Sequence, residues 1–327
     1  MKKVLIDTKK GYDESLPYHI VRITEAGPVT EVLHLVNKST GNGLKKLNAD
    51  EYVVMKTGEV LEYIHTQNRA QNIGNVKRTL RNIRLLVNTN IKDASKVTWI
   101  TLTYADNMTD REVLHRDFKV FMLRFKRWCK KHGYPCPEYI AVAEPQGRGA
   151  WHIHMFFIWQ IIAPFMDNNT IIAKLWGHGF TKTKKLNDVD NIGAYFSAYL
   201  ADIPLDEAIK LPKEEYNLMK CNAQVFKSFE DNGETIKDKK FIKGGRLYLY
   251  PTNMCIVRHS RGIKYPSTME ISQEDYDIEI KGKEKSLYGT QTFSSTSKIF
   301  SNDDSTPINA IGREYYNINR KEAQINE

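Results

Sequence analysis

The chain has 327 residues, 41% of them hydrophobic, enough for a sizeable core and for one large or two modest domains. No stretch reads as a signal peptide or as an apolar run long enough to cross a membrane, and the four cysteines form no Cys-x-x-Cys pair; this sets aside a membrane protein, a disulfide scaffold and a zinc–cysteine site, and suits reduced cytoplasmic thiols. The net charge of +9 and pI near 9.1 fit a nucleic-acid partner, because cationic side chains release counterions from a phosphate backbone.

Residues 1–95 read as an N-terminal extension. Within it Glu51–Met55 and Val60–Ile64 flank Lys56-Thr57-Gly58-Glu59 as a small hairpin. From Asn68 to Leu86 apolar residues recur at helix spacing (Ile73, Val76, Leu80, Ile83), with Arg69, Lys77, Arg78, Arg81 and Arg84 among them and no acid. That one-signed face is either solvated or a phosphate contact, with Arg78 and Arg81 as candidates. Lys96 to Tyr104 is a strand by its β-branched and aromatic content. Asp110 to His132 is a long amphipathic helix. Leu114, Phe118, Phe121, Met122, Phe125 and Trp128 form its buried stripe, and Gly133 ends it.

Glu138–Glu144 and Trp151–Trp159 are two apolar runs joined by a Pro-Gln-Gly-Arg-Gly turn, an antiparallel hairpin. Residues two apart on a strand share a face, so His152 and His154 point the same way. The hairpin brings Glu144 back beside them. Its register is open by one residue, and in one register Glu144 lies opposite His152. Two imidazoles and a carboxylate without cysteine suit a divalent metal, Mn²⁺ or Mg²⁺, with positions left for substrate oxygens. Arg148 in the turn is a plain loop arginine or a phosphate contact, and Trp159 reads as structural.

Met166 to Trp176 reads as a short helix broken by Gly177-His178-Gly179. A basic strand follows to Leu186 with Lys182, Lys184 and Lys185. His178 has no partner legible in the sequence. Asp188 or Asp190 caps a helix carrying Ile192, Tyr195, Phe196, Tyr199 and Leu200. Tyr195 and Tyr199 are four apart and neighbours on one helical face, either core stripe or chemistry.

Residues 203–240 are charged and helix-prone. Phe241 to Pro266 suggests strands, with Arg246, Arg258, Arg261 and Lys264 interleaved with Tyr248, Tyr250 and Tyr265. That pattern suits single-stranded DNA, or an ordinary β-rich extension packing on the preceding domain. From Ser267 onward eleven acids face seven bases among many Ser, Thr and Asn, which reads as a flexible polar tail, residues 267–327.

Glu144, seven intervening residues and His152-Ile153-His154 followed by apolar residues resemble the metal motif of the HUH endonuclease superfamily. Thr101-Leu102-Thr103-Tyr104 resembles the first motif of its rolling-circle replication initiators, found in phages, plasmids and small single-stranded DNA viruses. Tyr195 and Tyr199 resemble the two-tyrosine motif of the phage and microvirus types. The segment after residue 240 resembles one that follows the nuclease domain in some Gram-positive mobile-element relatives.

The resemblance covers roughly Val97 to Asp202. It implies an α+β fold with an antiparallel ferredoxin-like sheet flanked by helices over residues 96–205, a C-terminal extension over 206–266 packing on it, and the terminal extensions above. It implies a metal on Glu144, His152 and His154, and nucleophilic tyrosines at 195 and 199. The expected reaction nicks and rejoins single-stranded DNA at an origin through a 5′-phosphotyrosine, leaving a 3′-hydroxyl for a polymerase. Arg78, Arg81, Arg148, Lys182, Lys184, Arg258 and Arg261 are the expected DNA contacts. In the family each tyrosine is usually followed three residues later by lysine; here Ala198 and Asp202 stand there. No Gly-x-x-x-x-Gly-Lys-Ser/Thr stretch occurs, so no nucleotide cofactor is expected and the helicase and polymerase are the host's. The alternatives are a conjugative relaxase or transposase of the same superfamily, and a non-catalytic DNA-binding protein on the scaffold. Tyrosines that follow the histidine motif favour replication over transfer.

Overall fold

The computed structural model describes residues 4–37, 44–55, 57–63, 73–146, 149–186, 191–194, 196, 203–204, 225–227, 240–242, 249–251, 254–301 and 307–320. The chain divides into two compact units, residues 66–264 and residues 1–65 with 265–327. Among the described residues no helix is long and apolar enough to cross a membrane.

The discontinuous unit begins with β1 (Val4–Lys10), β2 (Ile20–Ala26) and β3 (Val29–Leu35), followed by β4 (Leu44–Lys46), β5 (Glu51–Val54) and β6 (Val60–Glu62). The last two are the hairpin expected around Gly58, with β4 added. Gly27 at φ 59 and Pro28 make the two-residue turn that pairs Ala26 with Val29. The C-terminal segment supplies β15 (Ser267–Ser272), α4 (Gln273–Glu279), α5 (Glu284–Tyr288), β16 (Thr290–Ser301) and β17 (Pro307–Asn317). One six-stranded sheet results, ordered β1-β16-β17-β3-β2-β15.

Residues 267–317 therefore are not the polar tail their composition suggests. β16 is paired on both sides, by β1 and β17, so its backbone groups are satisfied by neighbours distant in sequence. Its hydroxyls find partners too: Ser297 bonds Thr8 at 2.9 Å, and Thr296 donates to the Gly11 carbonyl at 3.0 Å. Tyr276, Ile280 and Tyr288 close an apolar cluster over Val21, Ile23 and Val32. Buried beside it, His34 bonds Gln273 at 2.9 Å and Glu314 at 3.0 Å, and the Tyr316 hydroxyl donates to Glu314 at 2.9 Å. This network satisfies the buried charge that would otherwise oppose folding.

In the continuous unit the elements are α1 (Ile73–Asn90), β7 (Val97–Thr103), α2 (Arg111–Lys131), β8 (Glu138–Pro145), β9 (Trp151–Ile158), α3 (Ala173–Trp176), β10 (Thr181–Lys185), β11 (Ile203–Pro204), β12 (Val225–Lys227), β13 (Lys240–Ile242) and β14 (Val257–His259). The main sheet is antiparallel and ordered β10-β7-β9-β8-β14. Without β14 this is the β-α-β-β-α-β arrangement of the ferredoxin-like fold, an α+β architecture.

The Asp110 side chain caps α2 by accepting from the Glu112 and Val113 amides, and Gly133 at φ 72 follows its end. Its stripe of Leu114, Phe118, Phe121, Met122 and Phe125 is buried, with the Phe125 ring stacked on Phe157 at 4.0 Å between centroids. The helix expected over Met166–Trp176 is shorter: Asp167 caps a π-turn at Asn168–Ile172 that leads into α3, and Gly177 in the left-handed conformation stops it. In the stretch expected to be helix-prone, the described pieces 203–204 and 225–227 are strands paired with β13. Further on, β14 extends the main sheet at the β8 edge, and Tyr250, Met254, Ile256 and Ile263 enter its core.

Candidate functional site

The β8–β9 hairpin settles the open register: Glu144 lies directly opposite His152, and Val142 opposite His154. On the other side of β9, Thr103 faces His152 and Thr101 faces His154. Partners across a ladder share a face, so Glu144, His152, His154, Thr101 and Thr103 stand together. The turn is anchored from outside by the Trp151 indole, which donates to the Thr109 carbonyl at 2.8 Å.

Glu144 is 1% exposed and His154 7% exposed. The His154 Nε2–H donates to the Glu144 carboxylate at 2.5 Å, and the Thr101 hydroxyl donates to Nδ1 at 3.1 Å. A carboxylate can only accept, which fixes the tautomer. Burial pushes His154 down to about 4, with the Lys184 charge adding to the effect, so the imidazole is neutral at neutral pH. Neutral imidazole is the form that ligates metal. The His152 and His154 rings lie 6.2 Å apart between centroids.

Phe196 covers this face. Its buried ring lies 4.6 Å from Phe156, 5.8 Å from Trp99 and 6.4 Å from His154. Tyr195 and Tyr199 lie outside the described residues, but Phe196, the next residue after Tyr195, is seated beside His154. The segment before it is tied to α1: Asn88 accepts from the Gly193 amide at 2.8 Å and donates to Asn191 at 2.9 Å. An added Cβ at Gly193 would collide with the Arg84 carbonyl oxygen and stand 2.7 Å from Asn88 Oδ1. Gly193→Ala is therefore expected to prise this segment off α1 at a cost of about 1–3 kcal/mol. Hydrogen exchange of the 191–194 amides should accelerate about tenfold or more. Unchanged protection would show that the contact does not hold the segment.

The expected DNA contacts do not all share this face. Lys182 and Lys184 do, opposite Thr101 and Trp99, with the Lys184 ammonium 5.7 Å from the Trp99 ring centroid. Arg258 does not. It pairs with Ala141 on the face that α2 covers, and its half-buried guanidinium sits 5.9 Å from the Phe118 ring centroid. Alternation along β14 turned it toward α2. Arg78 is exposed and Arg81 half-buried on α1, Arg261 is exposed beyond β14, and Arg148 lies outside the described residues.

Two further readings resolve. Trp159 is structural: buried, its indole donates to Thr98 at 3.1 Å. His178, with no partner legible in the sequence, lies 3.7 Å from the buried Asp117 carboxylate and 4.9 Å from the Trp176 ring centroid. Thr101, Asn88 and Gly193 were not singled out by sequence reasoning, since each acts through a partner far along the chain.

Among the described residues no three His, Cys, Asp or Glu side chains stand ready as a metal cage. Glu144 and His154 are turned on one another instead. The donor set still fits a divalent metal: one carboxylate and two imidazoles share a face, and the proton between Nε2 and Glu144 is the one a metal would displace.

Residues 97–203, from the start of β7 to the start of β11, match a family model of replication-associated proteins of the ORF2 type. No curated protein matches the chain.

Proposed function

We propose that the continuous unit is a replication initiator that nicks and rejoins single-stranded DNA. The observation that carries this reading is the Glu144–His152 row with His154 on the same face, inside the span that matches the replication-associated family. Glu144, His152 and His154 would hold Mn²⁺ or Mg²⁺. Such an ion, when bound, supplies Lewis-acid polarisation of the scissile phosphate.

The remaining chemistry belongs to the chain. The hydroxyl oxygen of Tyr195 or Tyr199 bonds to phosphorus, the bond from phosphorus to the 3′ oxygen breaks, and that oxygen takes up a proton. The products are a 5′-phosphotyrosine and a free 3′-hydroxyl. One phosphoester replaces another, so no nucleotide is consumed. A tyrosine hydroxyl titrates near 10, so it needs help to lose its proton. Lys182 and Lys184, on the same face, are the cations for that task in place of the absent lysines at 198 and 202. A second tyrosine allows a second attack that seals the released strand. The sequence carries no nucleotide-binding loop, which supports work alongside a host helicase and polymerase in the cytoplasm.

Ala198 and Asp202 favour one other reading, a non-catalytic DNA-binding protein on this scaffold. A gel assay separates the two. The protein is mixed with single-stranded oligonucleotides tiled across its origin, with Mn²⁺ or with EDTA. An adduct that survives denaturation and disappears with EDTA is the expected result. Tight binding without an adduct on every oligonucleotide would establish the non-catalytic reading.

A further inference from the structure

We propose that Phe180 is a stacking platform for an unpaired base at the end of the Glu144–His152 row, an inference that rests on the reading of this face as a single-stranded DNA site. The ladder between β10 and β7 pairs Lys182 with Thr101 and Thr181 with Leu102. One step further sets Phe180 opposite Thr103, which faces His152, which faces Glu144. Side chains alternate along a strand, so Phe180, Lys182 and Lys184 share a face. The Lys184 ammonium near the Trp99 ring marks it as the face that Phe196 and His154 occupy.

Phe180 is 79% exposed, yet its backbone is held firmly. Its carbonyl accepts from the Thr103 amide at 2.9 Å and also from the Thr103 hydroxyl. The His178 carbonyl accepts from the Ala105 amide at 2.9 Å. Between them Gly179, at φ +155, lies so close to β7 that an added Cβ would collide with the Ala105 nitrogen. A single exposed apolar side chain on a loose loop needs no explanation. Here the backbone is fixed, the ring is in water, and lysines follow on the same face. An unpaired base offers an apolar face for the ring, and its flanking phosphates offer charge for Lys182 and Lys184. Duplex DNA keeps its base faces stacked and has nothing to lay on Phe180.

The test is fluorescence anisotropy with labelled oligo-dT and a labelled duplex, on wild type, Phe180→Ala and Phe180→Trp, over a salt series. Phe180→Ala is expected to weaken single-strand binding about tenfold, the scale of one base–aromatic stack. The salt slope and duplex affinity should not change, because no phosphate contact is lost. Phe180→Trp should bind as wild type or more tightly. The inference falls if Phe180→Ala binds oligo-dT within about twofold of wild type, or if duplex binding drops in step. Wild type that fails to bind oligo-dT at all would overturn the single-stranded DNA reading itself, and this inference with it.

Discussion

A chain carrying phenylalanine at both Tyr195 and Tyr199 is expected to form no denaturation-resistant adduct with single-stranded DNA. Loss of an enzyme nucleophile costs about 10⁴-fold or more in rate, and phenylalanine has no oxygen to bond to phosphorus. The substitution removes one atom from each ring, so DNA affinity should stay near wild type and separate chemistry from binding. The single substitutions assign the roles. If both tyrosines act, each single variant still cuts but fails to reseal. If one acts, the other variant is silent. An adduct that persists in the double variant would mean that the nucleophile lies elsewhere.

Glu144→Ala carries the second large effect, a loss of about 10³-fold in nicking. Glu144 is buried, stands opposite His152 and accepts from His154 at 2.5 Å, so its carboxylate is the charged member of the set. Its removal also strands the His154 Nε2–H inside the protein, at a cost of about 1–3 kcal/mol. Glu144→Gln controls for that cost: it keeps the shape and an acceptor for His154 while deleting the charge. Both variants should nick poorly at low Mn²⁺, and Glu144→Gln should keep the wild-type melting temperature more closely. Wild-type nicking by Glu144→Gln across a Mn²⁺ titration would remove Glu144 from the metal set.

Much of the nicking face was legible from local pattern. Alternation set His152 and His154 on one face, and the turn returned Glu144 to their side. The apolar stripe and end signals of α2 predicted a helix from Asp110 to His132, and these two residues are its caps. Such readings succeed because helix and strand periods are properties of a short stretch and its own backbone. Less was legible where a residue's partner is far along the chain. Arg258 looked like one more exposed cation, yet the pairing of β14 with β8 turned it toward Phe118. His178 looked idle until α2 brought Asp117 within 3.7 Å.

The sequence by itself determined the hairpin, the residues that face its metal side, and the basic character that fits nucleic acid. The tertiary structure alone decided the register that sets Glu144 opposite His152, the close approach of Gly193 to α1, the placement of Phe180 at the end of the row, and the fate of residues 267–317. The Ser- and Thr-rich β16 is the clearest case. Its composition offers little apolar surface to bury, so read alone it has no reason to fold. Flanked by β1 and β17, its amides, carbonyls and hydroxyls are satisfied by strands that lie far away in sequence. Hydrogen-bond satisfaction by distant partners leaves no mark in a local window, whereas hydrophobic period does.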